Sequence, residues 1–401
     1  MVKNLLRFSS IAAAVLLLSA CGGGDNSNNN ETKIVQTKKV TLSTELSSTQ
    51  TRSNDKEIKV QTKLTSVDCT PTQTTRSFTL LGDLNISQGF DNGPEITAED
   101  MALSNDGKTV YIADGSAGLK VIDVSCPTSP KLIGFYDDEP NSCELNGFGR
   151  RITISDSGKY VYMADGLAGL KIFDVCNPSC PSLVGRLDTK GFSHGIALSP
   201  DNETLFISDN GEDKGTPGLR IIDVSNPCNP QMITQRAEKW ATQVVAKDSN
   251  TIFVTDKKAG ILTVDVSNKC DIKTLGTYKI KDKGISADIV LSPDKKIAYV
   301  ANKKPGIKVF DISDAANIKL IAKFDTDKIA KSLDLSSDGK TLLIADRHTG
   351  IFALDVSNPS SPQLISKIKT GGIAEGVNFS KDGTKIFVAN GVAGFKVYQL
   401  K

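Results

Sequence analysis

Histidine is nearly missing from this sequence: two residues in 401, too few to build a His-ligated metal centre. A single Trp and 6% aromatic residues leave no stacking platform for sugars or bases. Excess charge of either sign is missing too. The 48 Lys and Arg stand against 46 Asp and Glu, a formal charge of +2. That excludes a chain that grips nucleic acid or another polyanion by its overall field. The apolar run Ile11–Leu18 is too short for a bilayer-spanning helix, which needs about 20 residues. No later stretch holds an apolar stripe at helical spacing. A chain of this length would by habit divide into domains of roughly 100–200 residues, but it can also bury one large core.

What is present begins with an address. Lys3 and Arg7 precede the apolar run, as in a secretory signal, and the run ends in Leu18-Ser19-Ala20-Cys21. These four residues resemble a bacterial lipobox. The resemblance implies removal of residues 1–20 and a lipid on the Cys21 thiol and amine. With Gly22 rather than Asp after it, it implies an outer-membrane lipoprotein, facing the periplasm or the surface. The alternative is an ordinary signal peptide followed by a chance Cys. Residues 21–74 are rich in Ser, Thr, Asn, Gln and Lys and read as a polar tether, with a coil span of about 40 Å. Ile58, Val60, Thr62 and Leu64 alternate weakly, as a short strand would.

The remainder, 75–401, is one motif written seven times. GLKVIDVS begins at Gly118, GLKIFDV at Gly169, GLRIIDVS at Gly218 and GILTVDVS at Gly260. GIKVFDIS follows at Gly306, GIFALDVS at Gly350 and GFKVYQL at Gly394. The recurrent Asp (123, 174, 223, 265, 311, 355, with Gln399 in seventh place) returns every 42 to 51 residues. That period belongs to propellers or solenoids. Within each repeat a short apolar strand meets a turn such as Ser104-Asn-Asp-Gly-Lys108, followed by a second strand such as Val110–Ala113. The motif strand comes next, then a Ser-Asn-Pro breaker and a fourth strand. The seventh repeat lacks its fourth strand. Ser77–Gly82 (SFTLLG) matches the missing piece and predicts closure of a seven-bladed, all-β propeller with no open edge.

At these residues, from Ser77 to Lys401, the sequence resembles the LVIVD-repeat family of bacterial surface β-propellers. More distantly it is similar to lactonase-like and surface-layer propellers. The resemblance implies architecture and location more than chemistry.

The recurrent Asp ends the third strand before a turn, where its carboxylate can accept backbone N–H groups. Gln399, the one exception, has no turn after it. A second ring, Asp114, Asp165, Asp209, Asp256, Asn302, Asp346 and Asn390, opens the turn between strands two and three, and its Asn members suit hydrogen bonding better than a fixed ion. Seven cysteines besides Cys21 (69, 126, 143, 176, 180, 228, 270) suggest disulfide staples in an exported protein, with one thiol over. Cys176 and Cys180 could close locally and Cys69 could clip the tether. No His and no CxxC accompany them, so no metal site is expected.

Functional residues are sought where the repeat breaks. Three loops depart in length on one face: 85–98, 137–149 and 210–217. At the start of the first strands the channel mouth would carry Glu99, Arg150, His194, Thr242, Ala287, Lys331 and Glu375, followed by Asp100, Arg151, Gly195, Gln243, Asp288, Ser332 and Gly376. The favoured reading is a lipid-anchored, non-catalytic scaffold, monomeric and without cofactor. It would bind a protein or surface polymer but no nucleic acid, with Asp100, Arg151, Gln243, Asp288 and Lys331 as binding residues. The alternative is a small-ligand-binding propeller or a lactonase-like hydrolase. In the hydrolase Glu99, Arg150, His194 and Glu375 would supply base, oxyanion partner and orienting acid. The plain structural alternative is that these are solvated strand ends.

Overall fold

A computed structural model of the chain describes residues 76–86, 97–137, 147–210, 216–237, 241–256, 260–280, 286–302 and 306–401. The signal and lipidation expected at residues 1–21, the tether, the 58–64 alternation, Cys69 and Cys143 lie outside them.

Seven four-stranded antiparallel sheets carry the described chain, and no helix occurs among the described residues. Six sheets are built in chain order, and these are blades 1 to 6. The seventh combines Gly376–Phe379, Lys385–Ala389 and Phe395–Leu400 with the N-terminal strand Phe78–Leu84. Thr79 there stands opposite Gln399. The two ends of the propeller are therefore neighbours in one sheet, which closes the ring.

Composition places the strands radially. First strands carry polar residues near their starts, such as Asp100, Arg151, Gln243 and Asp288, and each touches the first strand of the next blade all the way round the axis. Second and third strands are apolar on both faces, as in Thr109–Ala113 and Leu119–Asp123. Fourth strands mix exposed and covered residues, and those of blades 1 to 6 start with charged or polar ones, such as Lys131, Lys273 and Lys319. Charged residues on an edge discourage pairing with another chain.

Seven apolar clusters fill the seven gaps between blades. Tyr111 and Val121 of blade 1 meet Val161 and Phe173 of blade 2, for example. Each fully buried Val, Leu, Ile or Phe contributes about 1.5–3 kcal/mol. Because each cluster spans two blades, no blade has a complete core alone.

Turn chemistry repeats with the sheets. Asp123, Asp223, Asp265, Asp311 and Asp355 each accept the N–H of the Ser two residues on, at 2.8 to 3.0 Å. Asp174 accepts that of Cys176. At the opposite end of the third strand the repeat glycine takes a left-handed backbone in every blade but the third, φ 71° at Gly118 and 98° at Gly350. A side chain there would strike the carbonyl of the fourth strand, Tyr136 or Ile368. Gly185 serves blade packing instead, since a Cβ on it would meet the Pro227 carbonyl of the next blade.

The expected local disulfide does not form. Cys126, Cys176, Cys180, Cys228 and Cys270 are all exposed free thiols. Asn177 closes the turn between Cys176 and Cys180 by accepting the N–H of Ser179 on its side chain and that of Cys180 on its carbonyl. The Cys176 thiol turns to the Asp174 carboxylate, and burial and that contact push its pKa up.

Candidate functional site

The loops before the first strands and the turns between strands two and three share one face, as bridges between blades demonstrate. Gly149 pairs with Gly115, Ser193 with Gly166, and Ala98 with Gly391 across the closure. The three loops of unusual length end on this face, though 87–96, 138–146 and 211–215 lie outside the described residues.

The channel below this face is laced shut by side chains. Arg151, from blade 2, reaches across the axis. Its Nη1 donates to Asp100 Oδ1 (3.4 Å) and Asp288 Oδ2 (3.3 Å), and its Nη2 to the carbonyls of Ala287 (3.1 Å) and Lys331 (3.4 Å). These carboxylates also stitch blades together. Asp100 accepts the Ile152 N–H at 3.1 Å, and Asp288 accepts the Leu333 N–H and the Gln243 amide. Gln243 Oε1 takes the Ile196 N–H at 3.1 Å, and Asp334, a residue the sequence did not single out, takes that of Phe379 at 2.6 Å. First strands have one flank without a strand partner, and these bonds satisfy its buried N–H groups. Asp100, Arg151, Gln243 and Asp288 are thus brought together, but to one another and to backbone.

Burial sets the electrostatics here. It pushes Asp100 up to about 6, because the opposing Arg151 charge is shared with Asp288, whose own charge raises Asp100 further. Asp334 rises to about 7 by burial, opposed by the N–H groups of Phe379 and Leu335, with Asp288 adding to the rise.

Above this layer lies a chain of alternating charge. Arg150 pairs with Glu99 Oε2 (3.4 Å), Lys331 with the same oxygen (3.7 Å) and with Glu375 Oε2 (3.7 Å), and Arg347 Nε donates to Glu375 Oε1 (2.6 Å). Glu99, Lys331 and Glu375 are buried, not solvated strand ends. Phe148 and Phe192 flank the Arg150 guanidinium, with centroids 4.2 and 5.4 Å away. His194 Nδ1 lies 2.8 Å from the Thr242 carbonyl, which only accepts, so Nδ1 carries the proton and Nε2 the lone pair. Burial first, then the charges of Lys331, Arg150 and Arg151, hold its pKa far below the usual histidine value. The imidazole is neutral.

The sequence reading missed Arg347. Its signal was the pair Arg347-His348, in a turn where blades 1, 2 and 7 place Gly115, Gly166 and Gly391. The second Asp/Asn ring is buried and structural. Asp165 pairs with Lys171, and Asp209 with Arg220 at 2.9 Å. Burial drives Asp114 up to about 7, against the pull of Lys120. Among the described residues no three His, Cys, Asp or Glu group to hold a metal ion.

Comparison with known proteins agrees with this architecture. The LVIVD repeat model matches residues 97–138, 149–189, 213–236, 242–279, 283–326 and 330–370, more than half of the chain. No curated protein matches. Among solved structures, Kuenenia stuttgartiensis Hydrazine Synthase is similar at 16% identity and a TM-score of 0.62, covering 78% of this chain and 98% of that one. Identity that low speaks for the fold alone.

Proposed function

The chain belongs to the LVIVD-repeat family, and from that premise we propose a lipid-anchored binding propeller of the bacterial cell envelope. Its Cys21 holds it to the membrane, and its long-loop face takes a protein or surface-polymer partner. The observation that carries this reading is how the candidate catalytic groups are used. Glu99, Arg150, Lys331, Glu375 and Arg347 hold one another in a single chain of ion pairs. Hydrolysis through a covalent intermediate would require a side-chain nucleophile beside the base. Among the described residues His194 hydrogen-bonds to the Thr242 carbonyl and to no hydroxyl or thiol. A rigid ring with fixed charges and variable loops suits recognition better than turnover.

Two measurements test this. Cys21→Ser should move the protein from the membrane fraction to the soluble one and abolish labelling by palmitate. Replacing 210–217 by a two-residue turn should weaken capture of envelope partners at least tenfold while leaving the melting temperature close to wild type. Equal capture by both forms would overturn the assignment of that face, and turnover of a lactone panel would overturn the non-catalytic reading.

A further inference from the structure

The mouth of the channel is paired but not satisfied. Arg150 Nε is buried without a hydrogen-bond partner, and so is Glu375 Oε2. Lys331 reaches its two carboxylates only at 3.7 Å, beyond hydrogen-bonding range. The Nδ1 bond to the Thr242 carbonyl leaves Nε2 of His194 as an acceptor. One cationic donor and one carboxylate oxygen are therefore left without partners, and Lys331 is held only loosely between its two carboxylates. Their closeness follows from shared partners: Arg150 and Lys331 approach the same oxygen of Glu99, and Lys331 also reaches Glu375.

Charge adds a direction. The mouth layer holds Arg150, Lys331 and Arg347 against Glu99 and Glu375, one positive charge in excess. The carboxylates are turned onto the cations, and Arg347 occupies the second Glu375 oxygen. Burial first, and then the charges of Lys331, Arg150 and Arg151, hold the His194 pKa down. Arg150 is held ready by its two phenyl rings, so little ordering entropy opposes binding. Its side chain is 27% exposed and that of Arg347 34%, against 8% for Lys331, so the two arginines are the accessible cations of this layer.

We propose that the channel mouth binds a small monoanion that carries an O–H donor beside its anionic oxygen. The anionic oxygen meets Arg150 and Lys331, and the O–H donates to His194 Nε2 or Glu375 Oε2. Two chemical sources share this pattern, a hydroxy-carboxylate and a protonated phosphate. The inference does not depend on whether the loop face takes a macromolecular partner.

Titration calorimetry on the full chain at pH 6.5 tests it with glycolate, dihydrogen phosphate, acetate, chloride and glycerol. Glycolate or phosphate should give saturable heat and bind at least tenfold tighter than acetate and chloride, which lack the donor, and glycerol should give none. The tighter of the two identifies the source. Arg150→Lys keeps the charge but removes Nε and the stacked plane, and should cost about tenfold for the preferred anion. Should that variant not fold, the glycolate-to-acetate ratio on the wild type still decides. Equal affinity for glycolate and acetate, no heat with any anion at millimolar concentration, or unchanged affinity in a folded Arg150→Lys would overturn the proposal.

Discussion

The turns on the far face and the side chains of the channel are both made largely of carboxylates, yet they are put together differently. On the far face one bond recurs from blade to blade, Asp123 to Ser125 N–H in blade 1 and Asp355 to Ser357 N–H in blade 6. Hydrogen bonding to these N–H groups and hydroxyls holds Asp123, Asp223, Asp265 and Asp311 below the usual carboxylate range. In the channel no two blades contribute the same residue set, and burial drives Asp100 and Asp334 the opposite way. Repetition therefore marks what each blade needs in order to fold. Its loss marks what the ring as a whole does.

The contrast can be broken at several points. The largest effect is expected at Arg151. Arg151→Met leaves Asp100 and Asp288 buried without their shared cation, a loss of about 3–5 kcal/mol in chemical denaturation; a loss below 1 kcal/mol would mean that the channel network is not structural. Next comes Gly185→Val, whose side chain collides with the Pro227 carbonyl of the neighbouring blade. It should cost about 1–3 kcal/mol by the same assay.

The pH dependence sharpens the comparison further. Asp334 has a folded pKa of about 7 against an ordinary value of 3.8, so its contribution is fully present below pH 4 and is lost as pH rises through 7. Asp100, raised to about 6, behaves alike, while neutral His194 works in the opposite sense, losing stability as pH falls below its ordinary value of 6.5. Asp334→Asn should therefore flatten the stability profile between pH 4 and 8 by about 1–2 kcal/mol, after allowance for its partial exposure. A profile as steep as wild type would place the titration elsewhere. The smallest effect belongs to a single far-face turn: Asp223→Asn should cost about 1 kcal/mol or less, with the binding face untouched.

Much of this architecture is written locally. The Asp-Gly turns, the left-handed glycine that opens GLKVIDVS and the Leu-Leu-Gly of the N-terminal strand each act within a few residues, so seven blades and their closure could be read off spacing. The second Asp ring was equally legible as turn chemistry, although its burial against Lys171 and Arg220 was not, because those partners lie on the following strand. The channel resisted. Arg151 and Asp288 are 137 residues apart, and Arg151 and the Lys331 carbonyl 180, so their contact exists only once the ring has closed. Position along the first strand brought Glu99, Arg150, His194, Lys331 and Glu375 to notice, but not who pairs with whom. Arg347 escaped for the same reason, since a turn residue acquires a role only when the neighbouring blade brings Glu375 beside it. The Cys176–Cys180 pairing failed locally, where Asn177 had already fixed the turn.

One paired measurement bears most directly on the division between a folding framework and a binding mouth. Glycolate affinity and melting temperature are to be recorded side by side for Arg150→Lys and Asp223→Asn. The account predicts a crossed result: Arg150→Lys loses about tenfold in affinity and melts like wild type, while Asp223→Asn melts lower and binds like wild type. If both variants change the two quantities in step, or if Asp223→Asn alone weakens binding, the division is contradicted.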